Sequence, residues 1–156
     1  MRALTREDAE QLLIRECRLI DERRFDEWLA LFTPDCRYWL PITDGDPDVE
    51  PSLVYDDLAR MQERIFRLTQ TTAPSQDPPS RTLHNVSNVE VDGRRVLANL
   101  TIFEFRPGDP SQVGLGAQRV FAGRAEYELA EDGRIRQKKV WLFNRDAPHY
   151  NLTFIF

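Results

Sequence analysis

The chain has 156 residues, 41% of them hydrophobic, which is enough material to close one core, so residues 1–156 are expected to form one domain. Its 21 basic and 26 acidic residues give a net charge of −5 with the signs interspersed, which leaves no basic stripe for a phosphate backbone and argues against a nucleic-acid partner. The opening MRALTREDAEQLLIRE has no apolar secretion core and no apolar run nears the roughly 20 residues of a membrane span, so a cytoplasmic protein with no membrane partner is expected.

Thr5 followed by Asp8 reads as a capping box with Asp in place of Glu, and Ala9, Leu12, Leu13, Cys17 and Ile20 recur at helical spacing, predicting a helix over 5–22. In DEWLALF, the residues Phe25, Trp28, Leu29 and Phe32 share one face before Pro34, predicting a second, shorter helix and a hairpin of the two. CRYWLPI alternates with Cys36, Tyr38 and Leu40 on one face and reads as an edge strand closed by Pro41 and the acidic turn TDGDPD. Leu58, Met61, Ile65 and Leu68 then form the stripe of a helix lying on a sheet, with Asp56 and Asp57 placed to cap it. TQTTAPSQDPPS is a loop by its three prolines.

From there the period changes to two. Residues 81–91 and 96–105 alternate around a turn at Asp92-Gly93, and strands over about 116–129 and 135–143 flank a turn at Asp132-Gly133. Helices first and a run of strands after predict an α+β domain, a curved antiparallel sheet with helices packed on one face.

The chemistry can be bounded by counting. Two Cys and two His cannot supply both a Rieske cluster and a mononuclear iron triad, and His84 and His149 are not at a compact ligand spacing, so no metal site is expected on this chain. Cys17 and Cys36 fall outside paired metal or redox motifs and are expected as reduced thiols. No glycine-rich nucleotide loop or nucleophile elbow occurs. What remains as a catalytic constellation is His84 with Tyr38, Tyr55 and an Asp inside a cone of sheet and helices, set against the plainer expectation that His84 is a hydrogen-bonded structural side chain. The ending NLTFIF, with Phe154, Ile155 and Phe156, is too apolar to lie free, since each exposed side chain forgoes roughly 1.5–3 kcal/mol of burial; it should pack along the sheet or against another chain.

FTPDCRYWLPI, VYDDLARMQERIFRL, DPPSRTLHNVSNVEV, VFAGRAEYEL and NLTFIF, taken in that order, resemble the small (β) subunit of aromatic-ring-hydroxylating dioxygenases, the Rieske non-haem iron oxygenases, with DPPSRTLHNVSN and FAGR the most specific segments. The resemblance implies a cystatin-related, NTF2-like cone. It implies a larger α subunit that carries the Rieske [2Fe-2S] cluster and the mononuclear Fe(II), commonly in an α3β3 hexamer, with electrons from NADH through a reductase and often a ferredoxin. It implies no cofactor and no catalytic residue on this chain, whose role would be structural within a system that turns an aromatic ring into a cis-dihydrodiol. Arg81, His84 and Asn88 lie inside the matching motif and are expected, with Phe154 and Phe156, to fix the strand and the subunit contacts. Because the same fold hosts isomerases and dehydratases, a self-contained enzyme of that type using His84 with Tyr38 or Tyr55 is the rival expectation, and a plain binding module is the third.

Overall fold

A computed structural model describes residues 2–70, 78–149 and 152–156. Two helices, α1 (Arg6–Asp21) and α2 (Phe25–Leu29), lead into β1 (Phe32–Pro41) and β2 (Ser52–Asp56); α3 (Leu58–Gln70) follows, then β3 (Arg81–Asp92), β4 (Arg95–Phe105), β5 (Gln118–Leu129) and β6 (Ile135–Leu142). The capping box is present as read. Thr5 Oγ1 accepts the Asp8 N–H at 3.1 Å and the Asp8 carboxylate accepts the Thr5 N–H at 3.0 Å. Arg2 grips the same carboxylate, and this hydrogen bond above all holds Asp8 well below the usual carboxylate range. The helix stops where Arg23 takes φ 58°, with Arg23 N–H donating to Ile20 O and Arg24 N–H to Leu19 O, a left-handed stop that is usually given to glycine.

The second helix is shorter than the apolar stripe suggests. Phe32 opens β1 instead of ending α2, because the chain is captured there by the sheet: Leu31 O accepts the Ile135 N–H at 2.8 Å. The sheet has six strands in the order β2-β1-β6-β5-β4-β3. Two expectations are corrected here. The β1 strand is not an edge but lies between β2 and β6, and the sheet is not wholly antiparallel, since β1 runs parallel to β6. The edge on this side is β2, with β3 at the other end of the sheet; the five residues of β2, four of them half-buried, carry no alternation that could have revealed it.

Asp57 caps α3 as expected, accepting the Arg60 N–H at 2.9 Å. Asp56 does not cap; it ends β2 buried and binds Arg64 through two hydrogen bonds of 2.8 and 3.2 Å. Burial is the largest single influence and works against the Arg64 charge, yet the hydrogen bond and the charge of Asp56, with a smaller contribution from Tyr38, together outweigh it and raise its pKa. Of the expected loop, Thr69 and Gln70 complete α3, while 71–77 lie outside the described residues.

The late strands follow their period. Gly93 and Gly133 turn the hairpins at φ 61° and 85°, which L side chains adopt only with strain. Asn88 at φ 55° sits in a register shift of β3 between Ser87 and Glu90, a bulge of the kind that bends a strand. Gly123 marks a close approach of two strands, since a Cβ there would run into the Trp141 carbonyl oxygen. One face of β4 and β5 turns Val96, Ala98, Leu100, Ile102, Phe121, Ala125 and Tyr127 toward the helices, where they join Leu13, Ile20, Trp28 and Met61 in the core. No helix among the described residues is long and apolar enough to cross a membrane.

Candidate functional site

The interior of the cone is where this architecture could hold a ligand. Its deepest polar group is Glu16, on the buried face of α1 and fully inaccessible. One carboxylate oxygen accepts Trp28 Nε1–H from α2 at 3.0 Å and Lys138 Nζ from β6 at 2.8 Å; the other accepts Tyr127 OH from β5 at 2.6 Å. Four elements thus meet on one carboxylate. Burial, reinforced by the Glu16 charge, raises the Tyr127 phenol well above its ordinary value and pushes the neighbouring Cys17 thiol up to about 12. The phenol and thiol are therefore held in their neutral forms.

The space left over is filled by the chain's own last residues. Phe154, Ile155 and Phe156 are buried, and the rings of Phe154 and Phe156 pack against Phe121 at centroid distances of 5.3 and 5.7 Å. Phe156 N–H donates to Tyr38 OH at 2.8 Å, and Lys138 Nζ donates to Phe156 O. Of the two packings open to the tail, the structure shows the one inside its own cone. Burial is also the main reason that the Tyr38 phenol is raised well above its ordinary value.

His84 lies beside this tail, its side chain fully enclosed. Nδ1 is 2.5 Å from Asp21 Oδ1 at the end of α1, and Nε2 is 2.9 Å from Ile155 O. Asp21 is itself fixed by Thr82 Oγ1 and by the His84 N–H, both at 2.9 Å. Each ring nitrogen faces an oxygen, and which nitrogen donates depends on the tautomer. Either way the imidazole is a tie between α1, β3 and the tail, with no nitrogen turned to open space.

The other expected residues do not gather around it. Tyr38 is buried but bonded to Phe156; Tyr55 is on the opposite face of the sheet, edge-on to Trp39. Arg81 is exposed and lies over the Phe105 ring at 5.6 Å, and Asn88 is exposed at the bulge. The rival constellation of His84 with Tyr55 is therefore not assembled. Asp21, Glu16, Lys138 and Tyr127 were missed by pattern reading, although a signal existed: Glu16 falls on the apolar stripe of α1, and Lys138 alternates inward with Val140 and Leu142.

The donor set does not fit an iron centre. Among the described residues no group of three or more His, Cys, Asp or Glu could hold a metal ion. Cys17 and Cys36 are buried free thiols, Cys36 donating to Met61 Sδ at 3.7 Å, and His149 lies 3.4 Å from the Arg145 carbonyl.

A six-stranded curved sheet with helices on one side places the chain among cystatin-like and NTF2-like folds, which solved structures of both descriptions match at TM-scores of 0.59 and 0.53. An LEH-like epoxide hydrolase of M. tuberculosis shares this fold at TM-score 0.60 and 15% identity, over 87% of this chain and 83% of that one. More specific likenesses run along the whole chain. The family described as "Ring hydroxylating beta subunit" matches residues 15–147. The small oxygenase component of the p-cumate 2,3-dioxygenase system of Pseudomonas putida is 36% identical over 97% of this chain and 87% of its own length. The crystal structure of the beta subunit of the benzoate 1,2-dioxygenase from Burkholderia mallei superposes at TM-score 0.73, with 26% identity, over 99% of this chain and 100% of that one. The chain belongs to the ring-hydroxylating beta-subunit family. The relatives in this family are small subunits of dioxygenase systems, which are oxidoreductases, and membership in it does not favour a self-contained isomerase or dehydratase.

Proposed function

We propose that residues 1–156 act as one NTF2-like unit that scaffolds a cytoplasmic α3β3 oxygenase of aromatic catabolism, with the Rieske cluster and the mononuclear iron on the larger subunit. In that assembly an aromatic ring, O2, NADH and a proton become a cis-dihydrodiol and NAD+, the electrons arriving through a reductase and, where present, a ferredoxin. The observation that carries the scaffold role is the filled cone: the volume in which an enzyme of this fold would seat a small molecule holds Phe154, Ile155 and Phe156. His84 supports it, because both ring nitrogens are engaged in holding α1, β3 and the tail together. Phe154, Phe156 and His84 stabilise the subunit. Arg81 and Asn88, exposed on the outer side and at the bulge of β3, serve its contacts.

Co-purification with the large subunit tests this. The chain should emerge in a brown complex whose iron and Rieske absorbance follow the large subunit. His84→Gln should reduce the yield and stability of that complex, with turnover per intact complex unchanged. A rate loss of roughly 100-fold per intact complex, the usual cost of removing a general acid or base, would place chemistry at His84 and overturn the proposal.

A further inference from the structure

The cone holds its own tail as a binding site holds a ligand. Segment 152–156 runs inward from half-buried Leu152 and Thr153 to Phe156, which is 1% exposed. The polar contacts at its inner end run to main-chain atoms. Phe156 N–H donates to Tyr38 OH at 2.8 Å, Lys138 Nζ donates to Phe156 O, and His84 Nε2 is 2.9 Å from Ile155 O. The side chains contribute rings: Phe154 and Phe156 lie against each other at 4.6 Å with a tilt of 30°, and both meet Phe121 edge-on. A slot for two packed rings thus ends in an acceptor, Tyr38 OH, and a donor, Lys138 Nζ. An amide beside an aromatic ring is the chemistry that complements both, because it carries an N–H and a C=O together.

The polar floor of this slot does not depend on the tail. Glu16 is bound by Trp28, Tyr127 and Lys138 without any tail atom, so Lys138 keeps a carboxylate at 2.8 Å when the segment leaves and no buried charge is stranded. Phe154 and Ile155 also line a narrow cleft with Ile20, Arg23, Leu68 and Thr82, which brings the outer half of the segment to the surface. We propose that the cone is a binding site for a small aromatic amide, formed by Tyr38, His84, Lys138 and Phe121, and that Phe154–Phe156 is the internal ligand which such an amide displaces. Occupancy by the tail sets the affinity: the amide binds only the fraction of molecules whose tail has left, and its apparent affinity is reduced by that fraction. The site is built by one chain, so it stands apart from the assembly reading above.

The three tryptophans make the test. N-acetyl-phenylalanine methylamide, a neutral ring flanked by two amides, is titrated into the full chain while the indole N–H signals are followed by NMR. Trp28 reports the cone, since its Nε1–H is held by Glu16 and its ring meets Tyr38 at 5.9 Å; Trp39 and Trp141, beside Lys139, report adhesion to the outer face. Trp28 alone should shift, and the Ile155 and Phe156 amide signals should move toward unstructured positions with it. Phe154→Ala with Phe156→Ala should raise the apparent affinity about tenfold or more, because the tail leaves more often. Phe156→Leu keeps the core filled and should raise it about threefold; it decides the matter if circular dichroism shows the alanine pair unfolded. Tyr38→Phe added to either tail variant should weaken binding about fivefold or more by removing the acceptor. A Trp28 signal unmoved in the tail variants up to the solubility limit of the amide overturns the inference, as do shifts confined to Trp39 and Trp141, an affinity no higher in the tail variants than in the wild type, or binding indifferent to the Tyr38 hydroxyl. Co-purification with the large subunit is read separately and bears only on the assembly reading.

Discussion

The two faces of the same sheet treat charge in opposite ways. On the inner face Glu16, Lys138, Tyr127, Trp28 and Tyr38 satisfy one another and the Phe156 backbone, and among the described residues no buried side-chain polar atom is left without a partner. On the outer face Arg37, Lys139 and Arg145 rest over aromatic rings, and among the described residues none of them has a carboxylate within 4.0 Å. The difference follows from solvent. A buried charge without a partner costs several kcal/mol, so the interior must close its own account, whereas a half-exposed cation is kept by water until a partner arrives. The inner face is thus built for the stability of one chain, and the outer face is available to a neighbour.

That contrast can be broken from the inside most forcefully. Lys138→Met leaves Glu16 buried with two neutral donors and should lower unfolding stability by about 3–5 kcal/mol, read as the urea midpoint at constant slope. Phe154→Ala should cost about 3 kcal/mol by leaving a cavity beside Phe121 and Phe156. A gain of hydrophobic-dye fluorescence in that variant would report an opened cone. His84→Gln, which removes the tie from Asp21 to the tail, should cost roughly 1–3 kcal/mol, with faster amide exchange at 152–156 than elsewhere. The alkaline limb sharpens the comparison. Cys17 is raised from 9.0 to about 12, so the folded chain keeps a proton that the unfolded chain has lost. Stability is then fully present below pH 9 and should fall above it by about 1.4 kcal/mol per pH unit until roughly pH 12. Tyr127, raised above its ordinary 10.0, adds to the same loss from about pH 10. Cys17→Ala should make the limb shallower by one proton in urea titrations at pH 8 to 11. The smallest effect is expected outside: Lys139→Gln should change the stability of the isolated chain by less than about 0.5 kcal/mol, read as the urea midpoint.

Much of the fold was legible because local chemistry dictated it. Thr5 with Asp8 marks the start of α1, Asp57 caps α3, and Asp92-Gly93 and Asp132-Gly133 place the hairpins, each through contacts within a few residues. The site was less legible, because its members come from distant segments. His84 stood out by rarity, but Asp21 looked like any last-turn acid, and Glu16, although it falls on the apolar stripe of α1, had no visible partner until β5 and β6 closed over it. Where β1 lies in the sheet was likewise hidden. The parallel pairing of Arg37–Trp39 with Gln137–Lys139 joins strands separated by most of the chain, and no local pattern encodes it.

By itself the sequence determined the class of fold, the order of helices and strands, the poverty of metal ligands and the resemblance to ring-hydroxylating small subunits, since each is written in composition, period or short motifs. Only the tertiary structure decided that the apolar tail occupies the cone, that His84 is held at both nitrogens, that Tyr55 is excluded from the interior and that Arg37, Lys139 and Arg145 share the outer face. Those facts depend on which strands become neighbours and which face each turns inward. That choice is made by packing the whole chain around one core, a long-range constraint that outweighs the preference of any single segment.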